Sequence, residues 1–390
     1  MAIQIKLRRD QSSIWDSDNP VLLAGEMAFQ FDSGTSQVGR FKIGNGSREW
    51  SRLPYFYAYQ DSSGAYPSSG GGGTSSFTWG GDRGIMILGS DGTDYYKDAI
   101  DYFDITTAGN ATDFGNLGAG RIGYCVGSST RTLICGGLQT IGSWPSGNTK
   151  VNTVEYITTA SPGNATDFGD LTQGKSHLCT ASNGTRAVIF GGRYQGESPN
   201  YTNTVIDYLT IGTTGNASDF GDCTSASTYG AGISNDTYGL QCGGYGRISG
   251  SNTNKQNIDV VTIATAANAT DFGDLLSLTH SAGGCSDATR GIIAGGGPNP
   301  NGVDNRSNVI QYVTVATPSN ATDFGDLTLA RTGSGTSNGT YGTFCGGEGE
   351  SSRSNVIDRI TIQTLGNATD HGDLNFTPGQ YGGAWSGTAS

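Results

Sequence analysis

Short apolar runs recur along most of the chain at nearly constant spacing, each bounded by Gly, Asn, Asp or Ser. The copy beginning at Lys175 shows the pattern. It reads "KSHLCTASNGTRAVIFGG", then a variable stretch, then "NTVIDYLTIGTTGNASDFGDC". Runs of this length, rich in β-branched and aromatic residues and closed by turn formers, predict strands. Strand A spans 176–182 and is closed by a hairpin turn at Asn183-Gly184. Strand B, 185–192, is mostly apolar and ends in a glycine pair. Strand C, 204–211, alternates roughly, and strand D is the short 218–223 segment.

The same unit returns five more times. The Asn of an "NATDFGD"-like phrase falls at Asn110, Asn164, Asn216, Asn268, Asn320 and Asn367. Four short strands in a repeat of about 50 residues are the signature of a β-propeller, because one such sheet cannot bury both faces without neighbours on either side. The ends predict how the ring closes. The first unit begins at its strand B ("DRGIMILGS", 82–90), and the last runs on into "GQYGGAWSGTAS" (379–390), which matches a strand A and its turn. The expected fold is therefore all-β: a six-bladed propeller over 78–390, with one blade shared between the two ends so that no sheet edge stays open. Asp113 and Phe114, with Phe168, Phe220, Phe272 and Phe324, are expected to hold the bend and pack between blades.

Glycine pairs end strand B at 136–137, 191–192, 243–244, 295–296 and 346–347, where they are expected to allow close backbone approach near the axis. Gly-Gly, a variable loop, a Tyr (102, 156, 208 and 312) and then an aromatic resemble the kelch repeat. The chain departs from that pattern by placing Phe where kelch has Trp, and His371 in the sixth copy. Val260 and Arg359 replace the Tyr in the fourth and sixth copies.

Residues 1–60 carry no repeat. "IQIKLRRD", "GEMAFQFD" and "GRFKIGNGSREWSRLPYF" read as strand pieces. The opening "IQIKLRRD", Trp15, "NPVLLAGEMAFQFD" and "FKIGNGSREWSRLPYF" together resemble a small module at the N-terminus of bacteriophage tail-fibre and tropism-determinant proteins. That resemblance implies a β-rich virion-attachment and oligomerisation module, commonly trimeric, in a structural protein assembled in the host cytoplasm. Residues 61–77, "DSSGAYPSSGGGGTSSF", read as a flexible linker.

Composition agrees with turns and strands: 64 glycines in 390 residues, and only 14% charged side chains. Residues 1–60 hold seven Lys or Arg against six Asp or Glu, leaving 15 against 28 in the remainder. An acidic body disfavours nonspecific binding to nucleic acid and to anionic membranes. The start has no apolar signal region, and no apolar run approaches the roughly 18 residues of a membrane helix. Seven cysteines without a CxxC argue against a disulfide framework or zinc site. Cys125, Cys179 and Cys285 are read as one strand A position, and Cys135, Cys242 and Cys345 precede glycine pairs.

No catalytic constellation, metal site or cofactor motif emerges. The "TDFGD" acids, such as Asp167 and Asp170, are turn residues, and His177 and His280 lie at different registers of strand A. The variable B–C stretches differ in length and sequence within constant frames, and in a propeller they emerge on one face. They carry Tyr95, Tyr96, Trp144, Tyr194, Tyr201, Tyr245, Arg247, Arg306 and Arg353, residue types suited to recognition and to stacking on sugars. The expected function is host adhesion as a tail-fibre or receptor-binding component. It would act through a homotrimer, other virion proteins and a host-surface glycan or protein. A head or neck fibre or a capsid decoration protein is the alternative, and a polysaccharide-degrading spike a more distant one.

Overall fold

The structure is a computed structural model. It describes the backbone of residues 8–11, 27–31, 40–43 and 56–57, and residues 80–90, 96–140, 148–194, 202–248, 251–298, 305–378 and 383–387. The chain divides into two compact units, Met1–Thr74 and Ser75–Ser390. In the first, four strands form one sheet in chain order: Arg8–Gln11, Met27–Phe31, Arg40–Ile43 and Phe56–Tyr57. The first pair is parallel and the others antiparallel. The predicted linker lies outside the described residues.

The second unit is a six-bladed β-propeller, and no helix forms among the described residues. Each blade is a four-stranded antiparallel sheet in the order A-B-C-D. In blade 3 the strands are Cys179–Ser182, Arg186–Phe190, Val205–Thr210 and Ser218–Asp222. Blade 1 closes the ring: Gly383–Gly387 pairs antiparallel with Arg83–Ile87, Trp385 opposite Ile85. The six A strands touch one another in a closed cycle around the axis.

Apolar side chains from adjacent blades share each core cluster. Phe114 lies with Ile85, Ile87 and Ile100 of its own blade and Ile134 and Ile157 of the next. Phe168, Phe220, Phe272 and Phe324 are equally buried. Where strand C supplies a Tyr, the two rings meet edge to face, as for Tyr208 and Phe220 at 6.1 Å. His371 keeps the Phe position by packing on Phe103 at 6.4 Å, its Nε2 2.7 Å from the Asp104 carbonyl oxygen.

Two belts of hydrogen bonds tie the blades, and the outer one corrects the local reading of the repeat. The Asn of the D phrase does not close its own bend. Its Oδ1 accepts from the backbone N–H that ends strand D of the preceding blade, at 3.0–3.1 Å in all six junctions. The last of these runs from Asp373 to Asn110, across the ring closure. Phe114 and its counterparts are extra residues in a bulge, so the following glycine turns outward with φ between 144° and 150°. A Cβ on Gly221 would lie 2.6 Å from the Ala267 carbonyl carbon. The inner belt is made by serines ending the A strands: Ser182 donates to the Gly127 carbonyl, Ser286 to Ser234 and Ser337 to Ser286.

Three further expectations are corrected. The glycine pairs sit at the seams between blades, not at the axis. Both residues have positive φ, and a Cβ on Gly191 would lie 2.5 Å from the Ser227 carbonyl oxygen of the next blade. The A–B turn is centred on Gly184-Thr185, with Asn183 Oδ1 accepting from Thr185 and Arg186 N–H. Finally, Cys125, Cys179 and Cys285 face Ile134, Phe190 and Ile292, which are three different strand A positions. All seven cysteines are buried and unpaired by disulfides.

Candidate binding face and axial cavity

An A-B-C-D meander places the A–B and C–D turns at one end of the ring and the B–C and D–A connections at the other. The second end is where repetition breaks down. Blades 2, 4 and 6 carry strands B and C past the glycine pair as long hairpins, such as Tyr238–Ile248 with Ser251–Thr262. In blades 1, 3 and 5 the regular ladder stops at the glycines. Much of the predicted variable loop is thus strand in three blades, a fact that sequence variability concealed.

The predicted recognition residues scatter over this end. Tyr95, Trp144 and Tyr201 lie outside the described residues. Arg247 sits in the blade 4 hairpin, opposite Asn252. Tyr245 is half-buried, its backbone bonded in both directions to Thr228. Tyr194 pairs with Lys175, and Arg353 with Glu348. Arg306 is buried, and its Nη2 donates to Glu348 Oε2 of the next blade at 2.9 Å. Its role is to join blades 5 and 6. Tyr96 packs against the cluster that holds Ile122 and Tyr124. Burial, with the Tyr229 phenol nearby, pushes its pKa up to about 12.

Nearer the axis is a feature the loops did not announce. A cavity of about 120 Å³ is lined by residues of the A strands and of the segments leading into them, among them Tyr124, His177, Tyr229, Ser281 and Trp385. Farther along the axis a second cavity of about 40 Å³ follows, sharing Thr180, Gly232, Gly284, Gly335 and Trp385 with the first. Glycine is required at this waist: a Cβ on Gly232 would lie 2.0 Å from the Thr180 carbonyl oxygen.

A row of packed rings, of which Tyr124, His177 and Tyr229 line the larger cavity, runs beside it. The His177 and Tyr229 rings lie 4.2 Å apart, Tyr124 is 6.4 Å from His177, and His280 is 6.2 Å from Tyr229. Arg193 Nη1 donates to Tyr229 Oη at 3.1 Å. Desolvation, with Arg193 and Lys150 adding to it, holds His177 well below its usual range, so the imidazole is neutral at pH 7. His177, Tyr229 and Ser281 take φ of 55°, 62° and 58°. This conformation costs an L-residue roughly 1–2 kcal/mol, and here it occurs in three successive blades. It also stops strand A short. The predicted 176–182 strand begins at Cys179, while Lys175–Ser176 pairs instead with Arg193–Tyr194. The sequence signal available was the series His177, Tyr229, Ser281, each the seventh residue after the Asp that ends strand D.

The acids before the repeat Phe, such as Asp113 and Asp271, stand exposed near the start of strand D, so the bend expected of Asp113 is set by the bulge and the following glycine. No group of three or more His, Cys, Asp or Glu suited to a metal occurs among the described residues. A second set of acids went unread in the sequence: Asp101, Glu155, Asp207, Asp259 and Asp358 in strand C, with Gln311 at the same place in blade 5. All are buried, and each accepts from the loop entering its blade, as Asp207 does from Thr172 and Asp259 from Thr224. Three also meet cations: Arg121 with Glu155, Lys175 with Asp207 at 3.0 Å and Arg331 with Asp358 at 2.9 Å. The recurring acid just before the strand C Tyr, as in "VEYI" and "IDYL", was the available signal.

No protein-family profile matches the chain, and no curated protein matches it in sequence. In fold, 304 solved chains resemble it, a breadth that leaves function to be argued from the site. One of them, titled "Structure of YjhT", matches with a TM-score of 0.58 at 13% identity, over 74% of this chain and 94% of that one. At that identity the likeness shows the fold alone, a six-bladed β-propeller.

Proposed function

We propose that this protein is a bacteriophage virion component that docks through residues 1–60, as a homotrimer, and presents the B–C end of its propeller to the host surface. One observation carries the adhesion reading. The six blades are joined by the same Asn bond at every junction, yet their B–C end is irregular, with long hairpins on alternate blades and a cavity partly lined by aromatic rings on the axis. Uniform construction of the frame with divergence at one end is what a recognition surface on a scaffold requires. The same end exposes Leu276, Leu278, Leu329 and Phe376 in three adjacent D–A connections. Exposed apolar groups clustered in this way favour contact with another molecule. The attachment role rests on the N-terminal resemblance.

The reading is of a binding protein and not a catalyst. Glycan cleavage uses two carboxylates flanking the bond, whereas the buried carboxylates of this repeat are committed to loops and cations. The described cavity lining consists of rings, hydroxyls, thiols and backbone amides, groups that hold a ligand.

The test is competition. Host cells preincubated with the purified full chain should adsorb fewer phage particles, and antibody against the chain should decorate the tail tip in electron micrographs. Decoration confined to the capsid or neck, with unchanged adsorption, would replace adhesion by a decoration or fibre role. Release of reducing sugar from host envelope material by the chain would overturn the non-catalytic reading.

A further inference from the structure

Three of the four non-glycine residues with left-handed backbone among the described residues line the axial cavity. His177, Tyr229 and Ser281 hold left-handed backbone in three successive blades, and all three line the cavity. Glycine would remove the strain, and the chain uses glycine freely wherever the seams between blades demand positive φ. Observed strain of this kind points from structure toward function.

The lining sets the ligand chemistry. Half-buried Tyr229 and Trp385 supply ring surface, backed by buried Tyr124 and His177, and glycine-rich backbone supplies amides. The Thr180 hydroxyl donates to the Cys125 carbonyl and the Ser281 hydroxyl bonds His280 Nδ1, and each keeps acceptor capacity toward a ligand. Every described lining side chain is neutral at pH 7, His177 included. Drug-sized ligands occupy sites of roughly 300–1,000 Å³. A cavity of about 120 Å³ can seat one face of a ring and cannot enclose an oligomer. Ring faces with dispersed hydroxyl and amide partners suit a ligand whose apolar C–H face stacks while its hydroxyls bond at the edges. We propose that the axial cavity binds a single neutral, hydroxyl-rich ring, the terminal sugar of a host-surface glycan, stacked on the half-buried Tyr229. This assignment rests on the adhesion reading and gives it a ligand class.

The experiment uses the full chain and defined probes: glucose, galactose and N-acetylglucosamine as neutral rings, glucuronate as an anion, and tetramethylammonium as a cation. Saturation-transfer NMR should show transfer to at least one neutral sugar and none to glucuronate or tetramethylammonium. Tyr229→Ala should lose that signal, and so should Tyr229→Gly, which removes the same ring but relieves the backbone strain that alanine keeps. The Gly variant keeps the test valid if the Ala variant fails to fold. Tyr245→Ala, in the blade 4 hairpin, should retain the signal. Transfer only to the charged probes, no transfer to any neutral sugar, or undiminished transfer in Tyr229→Gly would overturn the proposal. If the chain blocks phage adsorption while no neutral sugar binds, the cavity assignment falls and adhesion stands. If a sugar binds at Tyr229 while adsorption is unaffected, the adhesion reading falls and the cavity assignment stands.

Discussion

At the residue scale, the repeated phrase works across a boundary. Asn268 sits in an exposed segment, yet its side chain completes the edge of the preceding blade by accepting from Asp222 N–H at 3.0 Å. Removing one such bond with Asn268→Ala should cost about 0.5–1.5 kcal/mol in chemical denaturation. Asp271→Ala, at an exposed D-strand position, should change stability little. Gly221→Ala should cost more, about 1–3 kcal/mol, because its φ of 144° and the Ala267 carbonyl both resist a Cβ. Two titrations belong to this scale as well. His177 has a folded pKa below its usual 6.5, so the unfolded chain binds the proton more readily. Its contribution to stability is present above about pH 6.5 and is lost as pH falls. Melting temperature should therefore drop on acidification, less steeply in His177→Asn. Tyr96 is shifted the other way, to about 12. Its contribution is present below pH 10 and lost as pH rises toward 12, and absorbance at alkaline pH should show a late-ionising tyrosine that Tyr96→Phe removes.

At the element scale, the blades tolerate substitution when a contact is rebuilt from another strand. In blades 1, 2, 3 and 5 the Arg that opens strand B lies over the strand C Tyr, as Arg186 does over Tyr208 at 4.5 Å. The same Arg donates to carbonyls of the next blade, Arg186 to Ile263 and Ala264. Blade 6 exchanges the two residues: Arg359 comes from strand C and lies 4.6 Å over Tyr341 of strand B, and it still reaches the Ile105 and Thr106 carbonyls. What the sequence showed as loss of Tyr at 359 is therefore a swap. Tyr341→Ala and Arg359→Ala should each cost about 0.5–1 kcal/mol from the ring contact, and Arg359→Ala more through its lost carbonyl bonds. A Tyr341→Arg, Arg359→Tyr double variant should recover most of the stability, as measured by a double-mutant cycle. The strand A boundary was misread for a related reason. Propensity favours a continuous strand through His177, and only the seam beside it explains why the backbone turns there.

At the scale of the whole molecule, closure by Gly383–Gly387 removes the free edge of Arg83–Ile87 and places Trp385 against both axial cavities, its Nε1 donating to the Ser128 carbonyl. Deleting residues 383–390 should abolish the single cooperative melting transition and produce aggregation in size-exclusion chromatography. The cysteines give an independent reading of integrity. All are buried, and burial pushes Cys135, Cys223 and Cys345 up to about 12. A thiol reagent should modify none of the seven until denaturant is added.

Blade number, strand order and the shared first blade were legible in the chain because they follow from period, apolar spacing and turn chemistry, all of them local and repeated six times. The reach of Asn268 to a neighbouring blade, the seam position of the glycine pairs and the burial of Arg306 were not, since each depends on which blades become neighbours once the ring closes. The axial cavity is the strongest case. His177, Tyr229 and Ser281 stand about fifty residues apart in sequence, and only radial stacking of the A strands brings them to one rim. Local sequence thus determined the part that repeats. The tertiary structure decided what those parts surround, because side chains from different blades meet only after the circle is complete.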